Sequence, residues 1–375
     1  MIVVGGGAVG GAVAYFLARE GLAVTLLERG ELAGEASGAA AGMLAPIGEA
    51  MRGVPDVAAR AVQHWGLQSL ALFPSLCEEL RERSGIDPEY EASGLLRVAL
   101  SEAEVERLRA TWAATPDCDL EWMQAADARA MVPGLTQEVR AALWSPREAH
   151  LRSPLLTRSL AGAAYQLGAK IEPGVPVVGL LREGDRVTGV RTARGERSSG
   201  AVVVCTGAFA GELGEWLGGG WSPPVVPVRG QIVSLDAPRP PLPSIVWGEP
   251  AYLVPKRDGS LIVGATEEQV GFERRVTVDG LEALLRGAPR LMPALSRVGF
   301  RAGWAGLRPG SPDGLPGIGP VPGIESLWVA IGHFRNGVLL APVTGRLVVS
   351  GLLGKALPAE AEVFDPARWS DAPGL

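Results

Sequence analysis

Met1-Ile-Val-Val4 opens the chain as an unbroken apolar run, the pattern of a strand covered on both faces in a parallel sheet. Gly5, Gly6, Gly7 and Gly10 follow, and apolar residues then recur with a helical period through Ala14, Leu17 and Ala18. A second apolar run, Leu22 to Leu27, predicts another strand ending on Glu28. Strand, glycine turn, helix and strand make one βαβ unit, whose terminal acid stands about 20 residues beyond the glycines.

Further along, the pattern predicts a long helix from Asp56 to Ser84 interrupted at Pro74, and an apolar strand over Leu95–Leu100. Ser101-Glu-Ala-Glu104 reads as a capping box that starts the next helix. Ser153-Pro154 opens another, with Ser153 as cap and proline in its favoured place. Strands are expected at Val175–Leu181, Val187–Thr192 and Ala201–Cys205, the last closed by a turn at Thr206-Gly207-Ala208. Strand density rises from Val225 to Thr266, where Asp258-Gly259 signals a hairpin between Ala251–Pro255 and Leu261–Gly264. The ends are rich in βα units and the interior is antiparallel in character. That combination predicts an α/β protein of two interleaved domains, with no linker and no internal repeat.

Composition narrows the classes. A chain of 375 residues with 47% hydrophobic and 20% charged residues supports about two domains with substantial cores. The net charge of −6 and the scattered basic residues argue against a nucleic-acid partner. Lys170, Lys256 and Lys355 are the only lysines, so arginine carries nearly all the positive charge. Cys77, Cys118 and Cys205 share no metal-like spacing and fit a reducing compartment. No basic leader precedes the first strand, and the apolar Val338–Leu353 stretch is interrupted by Pro342 and Arg346. The expected protein is cytoplasmic, without a membrane partner.

The candidate chemistry begins at the glycines. Gly5 permits a tight turn, Gly7 lets the backbone approach a pyrophosphate, and Gly10 allows close helix–strand packing. The helix start offers N–H groups and a positive dipole end to phosphates. Glu28 can accept hydrogen bonds from ribose hydroxyls. This unit alone leaves FAD and NAD open. The small-residue run from Glu35 to Pro46 either packs tightly or admits something flat and large. Arg308 and Arg335 stand in two glycine-rich cassettes near the C-terminus. A guanidinium fork grips a carboxylate bidentately where a lysine cannot, although arginines in such loops also bond backbone carbonyls.

Several segments together resemble the FAD-dependent D-amino-acid oxidase family, and within it the glycine oxidase branch associated with thiamine biosynthesis. They are GGGAVGGAVAYFLA from Gly5, ASGAAAGMLAP from Ala36, VRGQIVSL from Val228, YLVPKRDGSLIVGATEEQVGF from Tyr252, AGLRPGSPDGLPGIGP from Ala305 and GHFRNGVLLAPVTG from Gly332. They run in family order over nearly the whole chain. The resemblance implies a Rossmann-like FAD-binding domain assembled from 1–45, 148–222 and 302–375. It also implies a substrate domain with a large antiparallel sheet, from 46–147 and 223–301.

For the cofactor, the resemblance implies that Gly5, Gly7, Ala8, Val9, Gly10, Glu28 and Arg29 hold the ADP half of a non-covalent FAD. Ser37, Ala40, Ala41, Gly42 and Met43 would line the pyrophosphate and flavin, and Val177 would meet the adenine near Thr206 and Gly207. His333, Phe334, Arg335, Asn336, Gly337 and Val338 would pass the flavin's polar edge. For the substrate, the resemblance implies that Arg308 and Arg335 grip a small amino acid's carboxylate beside Tyr252. Glu267, which follows the Gly264-Ala-Thr turn, either faces the pocket mouth and attracts the ammonium or is a solvated loop acid. Two arginines exceed one carboxylate, which suggests a site that also tolerates negative charge developing on the flavin. The implied reaction is hydride transfer from the amine to flavin, reoxidation by dioxygen, and hydrolysis of the imine to glyoxylate and ammonia. A D-amino-acid dehydrogenase and a sarcosine or dimethylglycine oxidase are the alternatives. Pro250 replaces a histidine that some relatives carry, and the branch implies a homo-oligomer, a tetramer.

Overall fold

A computed structural model describes residues 1–50, 57–238 and 241–370. The first strand, β1 (Ile2–Val4), lies inside a six-stranded sheet, between β2 (Thr25–Leu27) and the strand Val202–Val204, parallel to both. Lys170–Glu172 extends the sheet beyond β2, and Leu327–Ile331 followed by Gly317–Pro320 extends it on the other side. Only the last pairing is antiparallel. All three residues of β1 are buried, as an apolar run in a doubly covered strand requires.

The helix after the glycines, α1 (Ala8–Arg19), packs against the helices Ser153–Gln166 and Gly337–Leu352. Small residues allow the close crossings. A β-carbon on Gly345 would meet Phe16 at 2.6 Å and the Ala12 carbonyl at 3.0 Å, and one on Gly11 would meet Leu160 at 3.3 Å. Val338, Leu339, Leu340, Val343, Leu347 and Val348 of the C-terminal helix are buried in the core shared with α1. That packing accounts for the apolar Val338–Leu353 stretch. Among the described residues no helix is long and apolar enough to cross a membrane.

The second large sheet has eight strands, in the order Phe300–Gly310, Val226–Asp236, Ser260–Gly264, Tyr252–Pro255, Ile245–Trp247, Leu95–Ala99, Ala141–Ser145 and Glu121–Gln124. It is antiparallel except where Ile245–Trp247 runs parallel to Leu95–Ala99. A three-stranded antiparallel sheet, Val177–Glu183 with Arg186–Thr192 and Gly195–Ser198, and a two-stranded one, Met43–Leu44 with Ala149–His150, complete the two-domain α/β fold.

Most expected strands appear within one to three residues of their predicted ends, and three local expectations change. The helix expected over Asp56–Ser84 is two helices, Val57–Leu70 and Phe73–Ser84. Pro74 sits in the first turn of the second, where its missing N–H costs nothing, so it starts a helix rather than interrupting one. Asp56 itself lies outside the described residues. Ser153 does not cap its helix, because its hydroxyl donates to the Ser37 carbonyl at 2.5 Å. The capping box at Ser101 is offset: Ser101 Oγ accepts from Glu104 N–H at 3.3 Å, but the Glu104 carboxylate reaches Leu100 N–H, one residue earlier than expected.

Candidate functional site

β1 ends at the glycine turn, and this edge of the six-stranded sheet is where a doubly wound fold leaves a crevice. Gly5 has φ +112°, and a β-carbon there would collide with the Cys205 carbonyl. A β-carbon on Gly10 would overlap the Gly5 carbonyl, so helix and strand approach as closely as backbone permits. At Gly7, by contrast, the only neighbour would be Ser37 Oγ at 3.0 Å, which leaves its other side open. The start of α1 has no cap from its own chain neighbours. Ser37 supplies one instead, its Oγ accepting from Ala8 N–H at 2.9 Å. Glu28 is held by Gly6 N–H at 2.6 Å and Gly30 N–H at 2.7 Å, one to each carboxylate oxygen.

One continuous cleft runs from here to the eight-stranded sheet. Gly5, Gly7, Ala8, Val9, Glu28, Arg29, Ser37, Ala40, Ala41, Gly42, Met43, Val177, Thr206, Gly207, Tyr252, Glu267, Arg308 and the whole of His333 to Val338 line it. Gly10 does not, since it packs behind the turn. Gly42 has φ +76°, and a side chain there would collide with the Leu151 carbonyl. Arg29 lies over the Phe209 ring at 3.4 Å, forming one wall. An open-faced glycine turn, a fixed acid beside it and a lining of small residues are the features a dinucleotide with a flat ring requires. The residues present therefore fit FAD.

At the sheet end, two glycines make a floor. Gly230 lies under the Arg308 guanidinium and Gly264 under the Tyr252 hydroxyl, so that a β-carbon on either would collide with the side chain above it. Tyr252 is opposite Gly264 in register and packs edge-to-face on Trp247 with ring centroids 5.9 Å apart. Arg308 Nη1 donates to the Thr266 carbonyl at 3.0 Å, and Arg335 Nη1 donates to Glu267 at 2.8 Å. The buried Arg229 pairs with Glu268, which also accepts from Gln231 at 2.8 Å. These contacts correct one inference from the sequence. Glu267 takes up the positive charge by which Arg308 and Arg335 exceed one carboxylate, so nothing about the flavin follows from it.

His333 is buried, its Nε2 is 3.0 Å from Thr344 Oγ1, and burial lowers its pKa to about 3. It is neutral and acts as a packing contact. Burial also raises the pKa of the Cys205 thiol at the cleft wall, keeping it protonated and unsuited to attack on a cofactor. Pro250 lies in the cleft wall, its carbonyl so close to Gly287 that a side chain there has no room.

Sequence reasoning missed three contributors. Gly306 abuts Ala39 so closely that no β-carbon fits between them. Phe209 forms a wall, and its only sequence signal was its place just after the Thr206-Gly207 turn. Lys256 was counted but not placed: its Nζ donates to the carbonyls of Ala41 and Leu151, both at 2.8 Å.

Fold and cleft together define a flavin-dependent oxidoreductase with its cofactor crevice on a parallel sheet and a second cavity wall on an antiparallel one. The chain belongs to the FAD dependent oxidoreductase family, whose model matches residues 1–350. It is 39% identical over 373 residues to a glycine oxidase of Pseudomonas aeruginosa, covering 99% of this chain and 98% of that one. It is 35% identical to a bifunctional protein ThiO/ThiG of Trichormus variabilis, covering 93% of this chain and 52% of the relative. The crystal structure of a glycine oxidase from Geobacillus kaustophilus superposes with a TM-score of 0.91 at 34% identity, covering 98% of each chain.

Proposed function

We propose that the chain is an FAD-dependent glycine oxidase. It takes glycine to an imine that water converts to glyoxylate and ammonia, while dioxygen becomes hydrogen peroxide; sarcosine gives glyoxylate and methylamine in the same way, and a small D-amino acid gives its 2-oxo acid and ammonia. The observation that carries this reading is the convergence of Arg308, Arg335 and Tyr252 at the sheet end of a cleft that fits FAD. The full-length likeness to a glycine oxidase supports it.

In this reading Gly5, Gly7 and the start of α1 hold the phosphates, and Gly10 brings that helix close enough to do so. Glu28, already oriented by two backbone N–H groups, receives the ribose. Ser37 and Ala40 to Met43 line the pyrophosphate and flavin, while Ala8, Val9, Arg29, Val177, Thr206 and Gly207 enclose the ADP half. His333 to Val338 pass the polar edge of the ring. FAD, when bound, supplies the hydride acceptor. The protein's part is orientation: Arg308 and Arg335 fix the substrate carboxylate, Tyr252 closes the third side, and the α C–H is thereby presented. No side-chain nucleophile is required.

The cofactor domain is then 1–45, 148–222 and 302–375, and the substrate domain 46–147 and 223–301. Sheet membership supports this division except at 302, because Phe300–Gly310 pairs along its whole length with Val226–Asp236 in the eight-stranded sheet and so sides with the substrate domain. The reading places the protein in the cytoplasm as a homo-oligomer, a tetramer by resemblance, and its product in thiamine thiazole synthesis. The likeness to a ThiO/ThiG protein supports the last point. The test is oxygen uptake with peroxide and glyoxylate measured together, using glycine, sarcosine and D-alanine. Equal yields of peroxide and glyoxylate from glycine are expected. Flavin bleaching without peroxide in air would favour a dehydrogenase, and no bleaching by any of the three would reject the reading.

A further inference from the structure

The Thr266-Glu267-Glu268 segment touches all three arginines at the sheet end of the cleft. The Thr266 carbonyl accepts from Arg308 at 3.0 Å, Glu267 accepts from Arg335 at 2.8 Å, and Glu268 pairs with Arg229. The two acidic pairs differ in kind. Arg229 is 5% exposed, and Glu268 is tied further to Gln231 and Thr266, so that pair is fixed. Arg335 and Glu267 are 24% and 43% exposed and line the open cleft, so that pair can part.

We propose that Glu267 is a specificity residue: its carboxylate occupies Arg335 in the substrate-free site and transfers to the amino group when an amino acid binds. The proposal rests on the carboxylate-binding reading of Arg308 and Arg335. A carboxylate ligand that takes Arg335 must displace Glu267. An amino acid offers the displaced carboxylate a new partner in its own ammonium or amine hydrogens. A ligand with a carboxylate and no amino group offers it no exchange and sets a second negative charge beside it. The site therefore accepts amino acids and disfavours plain carboxylates, although both fit the same guanidinium fork. The structure shows the first partner of this exchange, the Arg335–Glu267 pair at 2.8 Å, at a position where the sequence alone left the choice between a pocket acid and a solvated loop acid.

The test compares glycine with acetate, which is glycine with hydrogen in place of the amino group. FAD-loaded wild type, E267Q and E267A are titrated with acetate by perturbation of the flavin spectrum, and with glycine by anaerobic flavin reduction. Both substitutions should tighten acetate roughly fivefold, the scale of a partly exposed ion pair that no longer competes. Glycine should bind no tighter, and about fivefold more weakly in E267A, where no acceptor remains. The glycine-to-acetate preference should then fall at least about fivefold in E267Q and by more than tenfold in E267A. A merely structural role for Glu267 would move both ligands together, and a parallel change would overturn the proposal alone. A wild-type flavin that neither ligand affects would overturn the carboxylate-site reading as well.

Discussion

Replacing Lys256 with methionine probes the contact that joins the two walls of the cleft. Lys256 begins the turn after the strand that carries Tyr252, and its Nζ donates to Ala41 beside the predicted flavin position and to Leu151. Leu151 N–H in turn donates to Gly42 at 2.9 Å. Methionine keeps the length and removes both hydrogen bonds. Each carbonyl left without its partner costs about 1–3 kcal/mol. Opposing this, burial, reinforced by the Arg152 guanidinium, lowers the Lys256 pKa to about 7 from the usual 10.5.

A neutral amine keeps two N–H donors for the two carbonyls, so the geometry is satisfied in either protonation state. The sign follows from linkage. As pH falls from 10.5 towards 7, the unfolded chain takes up a proton that the folded chain refuses, and the lysine's contribution to stability falls. Between pH 9.5 and 7 the loss is about 3 kcal/mol at most, from ~1.4 kcal/mol per unit. The methionine variant lacks this dependence. Denaturant unfolding of both FAD-loaded proteins at the two pH values should therefore show a larger wild-type advantage at pH 9.5. Flavin fluorescence titration should show FAD bound roughly tenfold more weakly by Lys256→Met, because the Ala41–Met43 segment loses its tie. A stability difference that does not change with pH would refute the burial argument. Unchanged FAD affinity would refute the positioning role.

Two further outcomes follow from single residues. Gly230→Ala places a β-carbon against the Arg308 guanidinium, which is the mobile end of a side chain and can shift. KM for glycine should rise roughly tenfold or more with FAD affinity intact, measured by initial rates and cofactor titration; a loss of FAD instead would show that the damage lies in the fold. His150 and His333 are both buried with pKa lowered to about 3, chiefly by burial, with Lys256 and then Arg257 adding for His150. Below about pH 6.5 the unfolded chain binds protons that these rings do not, so stability should fall by up to ~1.4 kcal/mol per unit for each. Unfolding at pH 6.5 and 5, above the carboxylate range, should show that slope in wild type and about half of it in His150→Gln; equal slopes would contradict the assignment.

Signals confined to neighbouring residues were legible in the sequence. The glycine turn, the Asp258-Gly259 hairpin and the apolar strands each depend on contacts within a few positions, and each stands where its pattern put it. What was not legible came from residues far apart in the chain. Ser37 caps α1 from 29 residues away, and that same region takes the Ser153 hydroxyl that a local rule assigned to its own helix. Nothing near Lys256 says that its ammonium meets Ala41, 215 positions earlier. Likewise, the excess of arginine over one carboxylate read from the cassettes disappears once Glu267 folds against Arg335. The residue types in the cleft were readable, but the charges they neutralise among themselves depend on tertiary pairing.

The central claim is that Arg308 and Arg335 bind an amino-acid carboxylate beside the flavin. Anaerobic reduction of FAD-loaded wild type, Arg308→Ala and Arg335→Ala by glycine, read as flavin bleaching against glycine concentration, tests it most directly. Losing one charge-assisted fork costs about 2–4 kcal/mol, so each variant should need roughly 30- to 1000-fold more glycine for half-reduction while retaining its FAD. Wild-type glycine dependence in both variants would contradict the account.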